Sequence, residues 1–203
     1  MKQAFFVTGT DTGVGKTYVA CKLIEQYAAQ GYKVIGMKPV AAGCELVDGS
    51  WVNEDMLKLE AASNVQAPRE LTNPYSFKEA IAPHLAAEKE GVEIEIEVIR
   101  QAFNKLRDIA DVVIVEGAGG FLVPLNATQS TADLAVILNI PMMLVVSMKL
   151  GCINHSLLTV EAIKARNLAL HGWVANQLDP TMPALAENEA TLTQKITAPR
   201  IYV

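Results

Sequence analysis

The chain has 203 residues, 51% of them hydrophobic, and a formal net charge of -5. That length suits one large α/β domain over residues 1–203 and leaves no room for a second catalytic domain. An acidic balance without Lys/Arg-rich runs argues against a nucleic-acid surface or a patch for anionic membranes.

Three cysteines, Cys21, Cys44 and Cys152, are an odd number, widely spaced and without a C-x-x-C pair. They suggest neither a disulfide framework nor a zinc site, and a reducing, cytoplasmic location is expected. The apolar run near the start of Met1-Lys2-Gln3-Ala4-Phe5-Phe6-Val7 is too short for a signal peptide, and no later run approaches a membrane span.

The first apolar run, Ala4-Phe5-Phe6-Val7, predicts a strand. It leads into Gly9-Thr10-Asp11-Thr12-Gly13-Val14-Gly15-Lys16-Thr17, which reads as a phosphate-binding loop. Phosphate oxygens need inward-turned backbone N–H groups, a lysine for the terminal phosphates, a hydroxyl for Mg²⁺ and a helix N-terminus. Gly13, Gly15, Lys16, Thr17 and the following amphipathic stretch supply these parts. The usual pattern puts a glycine four residues before Gly-Lys-Ser/Thr; here Thr10 stands there and the glycine is Gly9, so the match is a variant. A plain Gly-rich turn with a chance Lys-Thr is the alternative.

Apolar spacing predicts a helix over 17–30, stopped at Gly31, then a buried strand over 33–37. Lys38 follows at the strand's carboxyl end, where ligands bind in open α/β sheets, although a solvated loop lysine fits the same position. Residues 44–54 read as loop. A helix starts at 54, where Asp55 suits either a helix-start acid or a metal ligand. Residues 66–78 read as an irregular connection and 80–89 as a helix, with His84 a packed or hydrogen-bonded residue rather than a ligand.

A helix over 96–106 precedes a strand over 111–116 that ends in Glu116-Gly117-Ala118-Gly119-Gly120. A carboxylate at a strand tip faces Mg²⁺ or its water shell in nucleotide sites, and glycines allow close approach of backbone. Ser130 to Asp133 caps a helix through 138, and 141–147 is a buried strand. Gly151-Cys152-Ile153 opens another helix, to about 166, whose free N–H groups suit a carboxylate. Cys152 has no evident base partner and reads as a backbone position. Residues 172–176 form a strand ending at Asn176, whose amide offers donor and acceptor to a base edge. A last helix covers 183–195. Strands alternating with helices predict a parallel sheet covered on both faces.

These residues together resemble the dethiobiotin synthetase family. The matching blocks are Val7 to Thr12 with Val14 to Thr17, Lys38-Pro39-Val40-Ala41, Asp55, Ala82 to Ala87, Val115 to Gly120, Gly151 to His155, and Gly172 to Asn176. They run in the family's order across nearly the whole chain, and the family's loop also has five residues between its first Gly and Gly-Lys-Thr. The resemblance implies a P-loop NTPase-like three-layer sandwich with a mainly parallel sheet. It also implies an ATP- and Mg²⁺-dependent cyclo-ligase that closes a ureido ring on 7,8-diaminopelargonate with CO₂.

By the same resemblance Lys16, Lys38 and Thr12 would be catalytic. Gly13, Val14, Gly15, Lys16, Thr17, Asp55, Glu116, Gly117, Ala118, Gly119 and Asn176 would hold the nucleotide. Thr12, Lys38, Gly151, Cys152 and Ile153 would hold the substrate, and Thr17, Asp55 and Glu116 the metal. A homodimer with the substrate site near its interface is implied. Two departures stand out: Ala42 replaces a serine common in the family, and the chain ends Arg200-Ile201-Tyr202-Val203 where relatives continue, so a shortened carboxyl end is expected. A partition-type ATPase would carry a lysine where Asp11 stands. The remaining alternative is a P-loop ATPase switch or an inactive nucleotide-binding relative.

Overall fold

The computed structural model describes residues 2–47 and 49–203. Met1 and Asp48, which the readings of the amino terminus and of 44–54 include, lie outside the described residues. In chain order the elements begin with β1 (Gln3–Gly9), α1 (Lys16–Ala29), β2 (Val34–Met37), β3 (Val40–Ala42), β4 (Glu45–Val47) and β5 (Ser50–Val52). Then come α2 (Glu54–Ala62), α3 (Arg69–Thr72), β6 (Tyr75–Phe77), α4 (Pro83–Lys89), α5 (Ile96–Ile109) and β7 (Val112–Glu116). The last are α6 (Thr131–Leu138), β8 (Met142–Ser147), α7 (Cys152–Lys164), β9 (Leu170–Asn176) and α8 (Leu185–Lys195).

Five parallel strands form the central sheet in the order β2-β7-β1-β8-β9. Along β1, Phe5 and Val7 pack with Val19, Leu23 and Ile24 of α1 on one face. Ala4 and Phe6 pack with Ile99, Phe103 and Leu106 of α5 on the other. A strand covered on both faces needs apolar side chains at every position, so β1 reads as a continuous run rather than an alternation. The second face also carries α6, and α7 and α8 cover Leu144, Val146 and Trp173 toward the β9 edge. The expected three-layer arrangement is therefore present. Among the described residues no helix is long and apolar enough to cross a membrane.

The differences from the sequence expectations lie in the short connections. Within 44–54, β4 and β5 pair as an antiparallel hairpin, and within 66–78 the chain forms α3 and β6, the latter parallel to β3. Three-residue strands, mostly exposed in β4 and β5, are too short to carry an apolar periodicity. The helix expected from Ala80 starts at Pro83, because the residue before a proline is pushed to extended geometry and proline suits the first helical position. The helix expected from 183 starts at Leu185, after Ala184 with a φ of 53°. Beyond α8 the tail runs beside β9: Trp173 N donates to Pro199 O at 3.0 Å and Ile201 N to Trp173 O at 2.8 Å. That approach requires Gly172, since a Cβ there would lie 2.5 Å from Ile201 Cγ1.

Candidate active site

The carboxyl ends of β1, β2 and β7 bring the phosphate loop, Lys38 and Glu116 together. The loop passes into α1 through Gly15, whose φ of 90° suits glycine. Lys16 is buried, and its Nζ donates to the Asp11 carbonyl at 3.0 Å. Burial lowers its pKa to about 8, with Glu116 opposing the shift and Lys38 adding to it.

Lys38 is fixed at its backbone by the segment after α3. Its N–H donates to Thr72 O at 2.8 Å, and its carbonyl accepts from Asn73 Nδ2 at 2.6 Å. Its buried ammonium donates to Glu116 Oε1 at 2.6 Å and to Asp55 Oδ2 at 2.9 Å. Burial works against the charge, but Glu116 and Asp55 outweigh it and the pKa rises. Asp55 feels burial first as well, yet Lys38 prevails and holds its carboxyl below the ordinary value.

Thr17 Oγ1 donates to the same Glu116 Oε1 at 2.9 Å. Glu116 Oε2 is buried with no hydrogen-bond partner among the described residues. Asp55 is also a first-turn acid of α2, its N–H bound to Asn53 Oδ1 at 3.0 Å. Of the two sequence readings of Asp55, the helix-start acid is therefore present.

The hydroxyl of Thr17 and the carboxylates of Asp55 and Glu116 fit Mg²⁺, whose usual protein ligands are one or two carboxylates completed by phosphates and water. The second buried oxygen of Glu116, without a hydrogen-bond partner among the described residues, is an acceptor that such an ion would suit. No group of three or more His, Cys, Asp or Glu side chains among the described residues could hold a metal, so nucleotide oxygens would have to complete the shell.

A cleft of about 450 Å³ opens beside Lys38, lined by Thr12, Lys38, Ala42, Asp55, Pro83 and Val123 among others, with Ala118 and Gly119. Gly151, Cys152 and Ile153 do not line it. Cys152 is instead buried with Leu144 and Trp173. Their loop does approach the phosphate loop, since Lys149 Nζ lies 3.6 Å from Asp11 Oδ2. At the tip of β9, Asn176 Nδ2 donates to Val14 O at 2.8 Å, leaving its Oδ1 and a second N–H for a base. His84 is half-buried on α4, and its Nδ1 has no hydrogen-bond partner among the described residues.

Sequence reasoning missed the amides that hold this site. Asn53 bridges Ala42 O and the Asp55 N–H, and Asn73 grips the Lys38 carbonyl. Asn73 fell within the irregular connection expected over 66–78, because what an amide holds depends on chain packed against it from elsewhere.

A family model described as an AAA domain matches residues 3–201. The chain is 53% identical over its full length to the ATP-dependent dethiobiotin synthetase BioD of Nitrosospira multiformis, covering 88% of that protein. It is also 53% identical to the same-named protein of Aromatoleum aromaticum, over 99% of this chain and 89% of that one. The chain belongs to the ATP-dependent dethiobiotin synthetase family.

Among solved structures, the septum site-determining protein MinD of Pyrococcus horikoshii, complexed with Mg-ADP, superposes with a TM-score of 0.61 at 15% identity, over 98% of this chain and 79% of that one. A ParA family ATPase of Chlorobium tepidum gives 0.58 at 14% identity, over 100% and 84%. At such identities these likenesses concern the fold, which dethiobiotin synthetases share with other P-loop proteins.

Proposed function

We propose that the chain is an ATP- and Mg²⁺-dependent cyclo-ligase that converts 7,8-diaminopelargonate and CO₂ to dethiobiotin. The names of its relatives support the reaction. The observation that carries the site assignment is the pairing of buried Lys38 with buried Glu116 and part-exposed Asp55, next to Lys16 and opening on the Thr12 cleft.

One substrate amine attacks CO₂ and loses a proton, giving a carbamate. A carbamate oxygen attacks the γ-phosphorus and ADP leaves; the second amine then attacks the carbamoyl carbon, phosphate leaves and the ring closes. Each step moves negative charge, so fixed cations and N–H groups aimed at it are the effective catalysts. Lys16 neutralises the transferring phosphoryl group, Lys38 holds the carbamate, and Thr12 faces the substrate. Gly13 to Thr17 and Glu116 to Gly119 surround the phosphates, and Asn176 reads the adenine. Thr17, Asp55 and Glu116 would hold Mg²⁺, which when bound supplies charge neutralisation between phosphate oxygens.

Gly151, Cys152 and Ile153 hold the substrate carboxylate at the start of α7, near a homodimer interface. Exposed Leu122, Leu150 and Leu158 support that interface. A single domain acting in the cytoplasm belongs to the same proposal.

The test is phosphate release from ATP with Mg²⁺ and bicarbonate, with and without the diamine, in the wild type and in Lys38→Ala. Release that needs the diamine and collapses in the variant supports the ligase. Turnover independent of the diamine in both proteins overturns it in favour of a plain ATPase.

A further inference from the structure

The cluster beneath the phosphate loop, with Lys16, Lys38 and Glu116 buried and Asp55 part-exposed, is electrically balanced: the ammonium groups of Lys16 and Lys38 offset the carboxylates of Asp55 and Glu116. The balance is achieved in one arrangement, with Lys38 Nζ seated between Glu116 Oε1 at 2.6 Å and Asp55 Oδ2 at 2.9 Å. Thr17 Oγ1 reaches the same Glu116 oxygen at 2.9 Å. The hydroxyl and two carboxylates assigned to the metal thus already converge, and the cation among them is a side chain.

We infer that Lys38 is the resting counter-ion of the metal position, and that metal and nucleotide together displace it into the substrate cleft. The inference rests on the proposed metal assignment of Thr17, Asp55 and Glu116. A divalent ion added alone would place a surplus of positive charge in a neutral cluster whose Lys38 and Glu116 are buried, which is unfavourable where the dielectric is low. Arriving with phosphates, it brings its own compensating charge. Lys38 already lines the cleft beside Thr12, so the displaced ammonium has somewhere to go. Its place beside the carbamate would then be reached only on loaded enzyme, ordering the binding events without a lid.

The experiment uses Mn²⁺ as the probe, with the free ion counted by electron paramagnetic resonance on nucleotide-free protein. Lys38→Met should bind Mn²⁺ at least about tenfold more tightly than the wild type, since the cluster then carries an uncompensated carboxylate. Lys38→Arg should match the wild type, and Lys38→Met with Glu116→Gln should lose the gain. Equal affinity in Lys38→Met and the wild type overturns the inference.

A second measurement needs only the wild type. Acylation of Lys38 by acetic anhydride, read by mass spectrometry, should rise several-fold with Mg²⁺ and ADP over ADP with chelator; no rise overturns the exchange. The metal assignment is checked separately with ADP present. If Glu116→Gln leaves Mn²⁺ binding to the ADP complex unchanged, the assignment falls and the inference with it. If Glu116→Gln weakens that binding while Lys38→Met shows no gain, the exchange alone fails.

Discussion

Asn176 Nδ2 and the Val14 carbonyl are joined at 2.8 Å, tying the tip of β9 to the phosphate loop. The contact is tight enough that a Cβ on Gly15 would lie 2.0 Å from that amide nitrogen. Asn176→Ala should lower stability by about 1 kcal/mol, the net worth of one hydrogen bond, and raise the KM for ATP. Gly15→Ala should be worse, because the collision adds to a φ of 90° that disfavours a side chain. Adding Asn176→Ala to Gly15→Ala should recover part of the melting temperature but not nucleotide binding, since only the collision is relieved. Melting curves and ATP titrations of the three variants check this.

Glu116→Gln removes the nearer anion from a buried ammonium. Breaking one side of a buried ion pair costs about 3 kcal/mol or more, and Asp55, more exposed, cannot fully replace the lost carboxylate. Urea unfolding should show that loss. Glu54→Gln is the control: it breaks an exposed pair with Lys58 at 2.6 Å and should change stability by less than about 0.5 kcal/mol.

Asp133 accepts from the Ser130 N–H at 2.7 Å and from its hydroxyl at 2.6 Å, capping α6. The Ser130 hydroxyl, with its N–H, holds the Asp133 carboxyl below the ordinary aspartate range. A depressed folded pKa means the contribution is fully present above the unfolded value and is lost as pH falls through the folded one. Asp133→Ala should therefore cost about 1 kcal/mol near pH 7 and progressively less below about pH 4, as the wild type loses an interaction that the variant already lacks. Denaturant midpoints from pH 7 to pH 2.5 measure the convergence.

Gly172→Ala drives a Cβ into Ile201 and within 3.0 Å of the Pro199 carbonyl. Overpacking of this kind costs about 1–3 kcal/mol. Ile201→Ala should relieve part of it, so the double variant is expected to be more stable than the sum of the single effects allows. A double-mutant cycle on unfolding free energies decides the point.

The parallel sheet and the phosphate loop were legible because their signals are local: Ala4 to Val7 must be apolar throughout, and Gly15-Lys16-Thr17 needs its spacing. Lys38 was legible as a strand-tip lysine, and Asp55 and Glu116 as acids suited to a metal. Their mutual ion pairing was not, since it joins residues 38, 55 and 116 through space. The β4–β5 hairpin was missed because Glu45, Leu46 and Val47 are all exposed and no buried face imposes an alternation. Asn53 and Asn73 were invisible for a related reason: a positioning amide has no meaning until its two partners are side by side.

The strand order has a consequence for synthesis. β1 leaves the ribosome first and occupies the middle of the sheet, yet its neighbours begin only at Val112 and Met142. At an elongation rate of about 5–20 residues per second the apolar segment Ala4 to Val7 waits roughly 5–20 s for β7, its first permanent partner. During that interval it is a natural client for chaperones. Substitutions that make this short run more adhesive should therefore show themselves first as poor yield, before any change in the finished enzyme.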